Sequence, residues 1–340
     1  MSLALTAFTE RGTALACRIA SALGGQVYTL PKFHREGTET YHSLSQWTKA
    51  HFAAGDDIIF VSAVGIAVRA IAPYLQDKFT DPAILAVDEA GQFVVPVLSG
   101  HVGGANRLAR QVAQIIGATP VISTATDVNG RFAVDEWAAA QSFSITDRTA
   151  AKAISAALLA GEPVGFTSEF SHDPLPEGVT EGALTPGFAV TCRTDATFPA
   201  GTLVLHPKVL AVGIGCKKNL PQPQVTEVVF DLFRRRGLAL RSVCCLASID
   251  LKREDDGIRC LAERLGVPCR FYTAEELAAV EGAFSGSAFV RSVTGVGSVC
   301  DRAACLAAES GPLLVEKTAC DGVTVAVARR EYFVRFEVEE

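Results

Sequence analysis

The sequence predicts an α/β protein: N-terminal and C-terminal α/β layered domains with mostly parallel sheets, joined by a small middle α/β domain. Three observations predict it. Apolar runs of strand length alternate with stretches of helical periodicity at both ends of the chain. The run "DIIFVSA" (57–63) is apolar almost throughout, as a strand covered on both faces of a parallel sheet should be. Glycine-rich segments stand where such runs pass into helices. The 340 residues suffice for two or three domains, and the 49% apolar share supplies their cores.

The elements follow in order. "LALTAF" (3–8) reads as a strand, "GTALACRIASALG" (12–24) as a helix closed by glycine, and "QVYTL" (26–30) as a second strand. A helix is expected at 44–54, the apolar strand at 57–63 and a short helix at 65–75. In "AILAVDEAGQFVVPVL" (83–98) two apolar runs flank "DEAG", a hairpin with glycine in its turn. The next helix carries Leu108, Val112, Ile115 and Ile116 on one face, and "TPVIST" (119–124) reads as a strand. From about 130 to 205 two helical stretches and the strand "PVGFTSE" precede a Pro- and Gly-rich loop at 171–188. A second α/β unit starts at "KVLAVGIGCKKN" (208–219) and includes "RSVCCLASID" as a strand, "VGSVCDRAACLAAESG" (296–311) as a helix and two closing strands. The domains are expected at 1–128, 129–206 and 207–340, without an internal repeat.

Net charge is −6 and the isoelectric point is near 5.6, which argues against a nucleic-acid or membrane-surface binder. No apolar run approaches the ~20 residues of a membrane span. "MSLALTAFTERG" turns acidic too soon for a secretory signal, so a cytoplasmic protein is expected. The ten cysteines include no Cys-x-x-Cys pair, and no metal site is expected from them. They read as reduced, packed thiols.

In open α/β sheets ligands bind beyond the carboxyl ends of strands. "SGHVGGAN" (99–106) is such a place: glycines admit a ligand close to the backbone, and free N–H groups at the helix start face an anion. The same residues also suit a tight turn without a ligand. His101 is the candidate proton acceptor among six histidines. Ser99 is either a nucleophile or a cap, although "LSGH" is no G-x-S-x-G elbow. Asp127 or Glu89 would orient His101, or else act as a cap and a solvated turn residue. Gly213, Gly215, Lys217 and Lys218 in "GIGCKKN" form a second glycine turn; the lysines either pair with substrate carboxylates or solvate the loop. Asn219 stands where a dinucleotide fingerprint needs glycine, and no phosphate-binding G-x-x-x-x-G-K-S/T is present, so neither NAD nor ATP is expected. Cys216 is either a reactive thiol or a small packing residue.

"GIAVRAIAPYLQDKFTDPAILAVDEAGQFVVPVLSGHVGGANRLA", followed by "PVISTATDVNGRFAVDEWA", closely resembles the CbiG family, the cobalt-precorrin-5A hydrolases of anaerobic cobalamin biosynthesis. "VLAVGIGCKKN", "LASIDLKREDDGI", "VGSVCDRAACLAA" and "KTACDGVTVAVAR" resemble its C-terminal part. The resemblance spans nearly the whole chain and is least distinctive at 1–55 and 160–205. It implies a cobalt-bound, ring-contracted corrinoid substrate. The enzyme would open its δ-lactone with water and release acetaldehyde, giving cobalt-precorrin-5B. It implies no protein cofactor, because the cobalt belongs to the substrate. Gly65, Arg69, Gly100, Gly103, Gly104, Asn106, Arg107, Thr124, Gly213, Gly215, Lys217 and Lys218 are then the expected substrate-binding set, with His101, Ser99, Asp127 and Glu89 as the catalytic set. Lys78 and Arg131 are further cations for the substrate's carboxylates. A homodimer and hand-over to other cobalamin-pathway enzymes are left open as partners. A non-catalytic corrinoid-binding or delivery protein is the first rival reading, and an α/β enzyme of phosphorylated substrates the second.

Overall fold

The structure is a computed structural model. It describes all residues except 1, 78–79, 101–102, 218–219, 283, 285–296 and 337–340, and the side chains of Asp127 and Gln222 are likewise outside the description. Two compact units form, residues 1–140 with 155–162 and residues 141–154 with 163–340.

The first unit runs β1 (Leu3–Ala7), α1 (Glu10–Leu23), β2 (Gln26–Thr29), β3 (Thr38–Thr40), α2 (Leu44–Ala54), β4 (Asp57–Val61), α3 (Val64–Ile71), β5 (Ile84–Val87), β6 (Phe93–Leu98), α4 (Ala105–Ile116), β7 (Thr119–Pro120), α5 (Ala125–Val128) and α6 (Val134–Ala140). Its seven strands lie in the order β3-β2-β1-β4-β5-β6-β7. All neighbours are parallel except β5 and β6, the predicted hairpin, so β6 and β7 run against the other five. Every residue of β5 is buried, as are Ile58 to Val61 of β4, because helices cover both faces of the sheet. Thr9 caps α1 by accepting from the Gly12 N–H, and Gly24 ends it at φ 77°. The helix expected at 65–75 stops at Ile71 and tightens to a 3-10 turn at Ala72–Tyr74, where Pro73 lacks an N–H. The strand expected at 119–124 is held to two residues at the sheet edge, one of them proline.

α7 (Arg148–Ala160) follows, its residues divided between the two units. The second unit continues with β8 (Val164–Ser168), β9 (Ser171–His172), β10 (Val179–Glu181), β11 (Gly187–Val190) and β12 (Thr202–Leu205). β10-β8-β11-β12 make an all-parallel sheet: β8 is the expected strand, and β10 with the start of β11 lies in the segment 171–188 expected to be loop. Then come β13 (Leu210–Cys216), α8 (Gln222–Arg236), β14 (Val243–Ile249), α9 (Asp256–Leu265), β15 (Cys269–Tyr272), α10 (Ala274–Ala278), α11 (Cys300–Ala307), β16 (Leu313–Cys320), β17 (Val323–Arg329) and β18 (Phe333–Val334). Their sheet is ordered β15-β14-β13-β17-β16, with β13, β14 and β15 parallel. α11 is shorter than the helix expected at 296–311; residue 296 lies outside the description. After β17 the chain returns to pair β18 with β9, and the Arg329 guanidinium meets Glu169 at 3.2 Å. All ten cysteines are free thiols. Among the described residues no helix is long and apolar enough to cross a membrane.

Candidate functional site

The site grows from the end of β6. Because β6 is antiparallel to β5, its last residue Leu98 stands opposite Ile84, where β5 begins. The β6–α4 junction therefore lies where β4 and β5 start. Ser99 adopts φ 57°, and its buried hydroxyl donates to the Asp81 carbonyl at 2.8 Å. The hydroxyl is thus tied to backbone, which corrects the nucleophile reading in favour of a brace. The carbonyls of Ser99 and Gly100 accept the N–H groups of Ala105 and Asn106 at 3.1 and 2.9 Å. Two of the helix-start donors are therefore used inside the loop.

The glycines have definite reasons. A Cβ on Gly103 would lie 2.3 Å from the Ser99 Cβ, so any other residue would force this turn to shift. Gly100 faces the Asn106 amide, with an added Cβ at 2.9 Å from Oδ1. Gly104 precedes α4 at φ 81°. Asn106 is 1% exposed, and its Nδ2 donates to the Thr124 hydroxyl at 3.0 Å. That bond ties the β6–α4 loop to the β7–α5 loop beside it. Asp127 follows on α5. Arg107 is exposed in the first turn of α4. Burial pushes the nearby Asp57 carboxyl up, against the pull of the Ala83 N–H and the Arg107 charge. His101, the expected base, lies outside the described residues between Gly100 and Gly103.

Three expected residues do not join this junction. Glu89 sits in the β5–β6 turn and accepts from the Thr9 hydroxyl at 2.9 Å. The six residues of β6, about 20 Å of strand, separate it from Ser99. This corrects its assignment as the orienting partner of His101. Gly65 and Arg69 lie on α3, which leaves the carboxyl end of β4, the Glu89 side of the sheet. Arg69 folds back to donate to the Gly65 carbonyl at 3.4 Å.

In the second unit, Gly213 is buried inside β13, and a Cβ there would lie 1.8 Å from the Cys300 carbonyl oxygen. Its glycine admits α11 onto the sheet, which corrects the ligand-binding reading. Gly215 faces Thr324, whose hydroxyl donates to the Gly215 carbonyl at 3.1 Å. Lys217 is exposed beyond the strand, while Lys218, like Lys78, lies outside the described residues.

Sequence reasoning missed a polar cluster here. Lys252 Nζ reaches Asp255 Oδ2 at 2.9 Å and the Lys217 carbonyl at 3.4 Å, and the Cys216 thiol donates to the same carboxylate oxygen at 3.2 Å. Burial and the Asp255 carboxylate push the Cys216 thiol up to about 11, so it is a protonated donor and not a nucleophile. Burial alone would raise Asp255, but Lys252 and the Cys216 thiol hold it below the usual carboxylate range. Its N-cap bond to the Ile258 N–H was the one legible signal, an aspartate before a helical run. Asp301, 2% exposed, was also missed; it accepts from Ser298 Oγ at 2.6 Å and from the Lys317 N–H at 2.7 Å.

Family models cover most of the chain in order: "Cobalamin synthesis G N-terminal" at residues 46–127, "Cobalamin biosynthesis central region" at 132–207 and "Cobalamin synthesis G C-terminus" at 210–328. The cobalt-precorrin-5A hydrolase of Salmonella typhimurium is 35% identical over 96% of this chain and 97% of its own length. The chain belongs to the CbiG family. A second relative, the cobalt-precorrin-5A hydrolase of Priestia megaterium, is 28% identical over 97% of this CbiG chain and 95% of its own. A solved cobalamin biosynthesis protein G homolog from Sulfolobus solfataricus covers 97% of each chain at 22% identity, with a TM-score of 0.42. Membership places this CbiG protein in cobalamin biosynthesis, and the names of its relatives indicate a hydrolase.

Proposed function

We propose that this CbiG protein is a cobalt-precorrin-5A hydrolase. It opens the δ-lactone of the ring-contracted cobalt corrinoid and releases acetaldehyde, leaving cobalt-precorrin-5B. The observation that carries the reading is the end-to-end similarity to the Salmonella protein of that name, at 35% identity. The cobalt enters with the substrate, and no resident cofactor is part of the proposal.

The chemistry is assigned to the β6–α4 junction. Water attacks the lactone carbonyl, with His101 taking its proton. The backbone N–H groups of Gly103 and Gly104 receive the oxyanion, and Arg107 holds an acetate of the macrocycle rim. Lactone opening frees an alcohol on the meso carbon. Loss of that proton lets the alkoxide collapse to the aldehyde carbonyl: the bond from the meso carbon to the macrocycle breaks, its electron pair stays on the conjugated macrocycle, and the carbon leaves with its methyl group as acetaldehyde. Asn106 and Thr124 keep the two loops in register, and Asp127 is the candidate to orient His101. Lys217 and Lys218 are candidates for further rim carboxylates.

The test is an anaerobic single-turnover assay comparing wild type with His101→Ala. A loss of about 100-fold or more in acetaldehyde release, with the corrinoid still bound, supports a proton-transfer role. Unchanged turnover removes His101 from the mechanism. A wild type that binds the corrinoid and releases no acetaldehyde would make the protein a carrier.

A further inference from the structure

β14 carries two adjacent cysteines, Cys244 and Cys245. A regular strand turns neighbouring side chains to opposite faces. Here the register breaks: Leu210 of β13 pairs with Val243, but Ala211 pairs with Cys245, so Cys244 is the extra residue of a bulge. The bulge brings the two sulfurs to 3.7 Å. Arg330, just past β17, donates from Nη2 to the Cys244 sulfur at 3.3 Å. Arg270 on β15 and Lys208 before β13 add their charges to the same sulfur. Cys245 is fully buried, whereas Cys244 is partly exposed. Arg330 also lines an open groove of about 560 Å³ with Arg329, Tyr332 and Phe170.

We propose that Cys244 is a thiolate modification site for small disulfides, with Cys245 and Arg330 as the residues that position and stabilise it. The hydrogen bond from Cys245 pulls the Cys244 thiol down, burial opposes this, and Arg330 and Arg270 reinforce it, while Cys245 itself is raised. Two thiolates at this spacing would also suit a tetrahedral metal with sulfur ligands at about 2.3 Å. The guanidinium on the Cys244 sulfur decides against it, because a second cation would be repelled there.

The step is thiol–disulfide exchange. The Cys244 thiolate attacks R–S–S–R, a Cys244–S–S–R bond forms, the original S–S bond breaks, and its electron pair leaves on R–S⁻. Closure between the two cysteines is opposed by geometry. Adjacent Cα atoms lie about 3.8 Å apart across a trans peptide, whereas disulfides span at least about 4.4 Å. The mixed disulfide on Cys244 is therefore the lasting product.

The test treats the full chain with dithiodipyridine and maps adducts by peptide mass spectrometry over time. At about pH 6 Cys244 is expected to react roughly 20-fold faster than a half-buried reference thiol, Cys320, since its larger thiolate fraction outweighs its lower intrinsic nucleophilicity. Arg330→Gln should move the midpoint of the rate–pH profile upward, a readout that a merely structural arginine would not change. Reaction at Cys244 no faster than at Cys320 in wild type would overturn the proposal, and that comparison needs no variant to fold. An unshifted midpoint in Arg330→Gln would overturn the stabilising role of the arginine.

Discussion

At Gly103 an added Cβ would strike Ser99 within the same loop, at 2.3 Å. At Gly213 it would strike the Cys300 carbonyl, at the start of a helix far along the chain, at 1.8 Å. Both glycines belong to strand-end segments with the same look in sequence. In the first unit the glycines pack against their own segment, Gly103 against Ser99 and Gly100 against Asn106, and Asn106 bonds to Thr124. In the second they admit other elements, α11 at Gly213 and Thr324 at Gly215, and the polar groups begin only at Cys216 and Lys217. The difference teaches that a glycine turn marks close approach, and that what approaches is decided by packing partners distant in sequence.

Substitution by alanine should separate the two sharply. Gly213→Ala is expected to lower stability by roughly 3 kcal/mol or more, because the added Cβ would meet the backbone of the first turns of α11, which is packed on the sheet. Gly103→Ala should lower it by only about 1–2 kcal/mol, since the loop can shift, while turnover falls about 100-fold through misplacement of the groups it carries. Denaturant unfolding and acetaldehyde release, measured on both variants, check this. The opposite pattern would mean that the Gly213 segment carries the chemistry.

The polar cluster beyond β13 gives a pH signature of its own. Asp255 is held below its ordinary value, so its contribution is complete above the unfolded-state value near 3.9 and is lost as pH falls through the folded one. Lys252 is raised by Asp255 and Cys216 against the opposing effect of burial, so its contribution is complete below about 10.4 and is lost above. Lys252→Met should cost about 1 kcal/mol between those limits and progressively less outside them. A pH-independent difference from wild type would refute the ion pair.

The smallest effect belongs to Glu89. It sits across the length of β6 from the proposed junction, so Glu89→Gln should leave turnover within about twofold of wild type. A large loss would move the reaction to the other end of the sheet.

These cases also show what could be read in advance. The hairpin at 83–98 and the helix from Ala105 to Ile116 were legible because their apolar periodicity is local. β3 and β10 were not, since "TET" and "VTE" are short and largely polar and owe their form to neighbours in the sheet. The clustering of Ser99, Gly103 and Asn106 followed from their nearness in sequence. The bond from Asn106 to Thr124, the clash guarding Gly213 and the convergence of Lys252, Asp255 and Cys216 depend on strand order, which no local pattern carries.

The most direct measurement is anaerobic incubation of the wild-type protein with cobalt-precorrin-5A, trapping acetaldehyde while following the corrinoid spectrum. One acetaldehyde for each corrinoid converted is the predicted result. Lactone and spectrum left unchanged by protein that demonstrably binds the corrinoid would contradict a hydrolase.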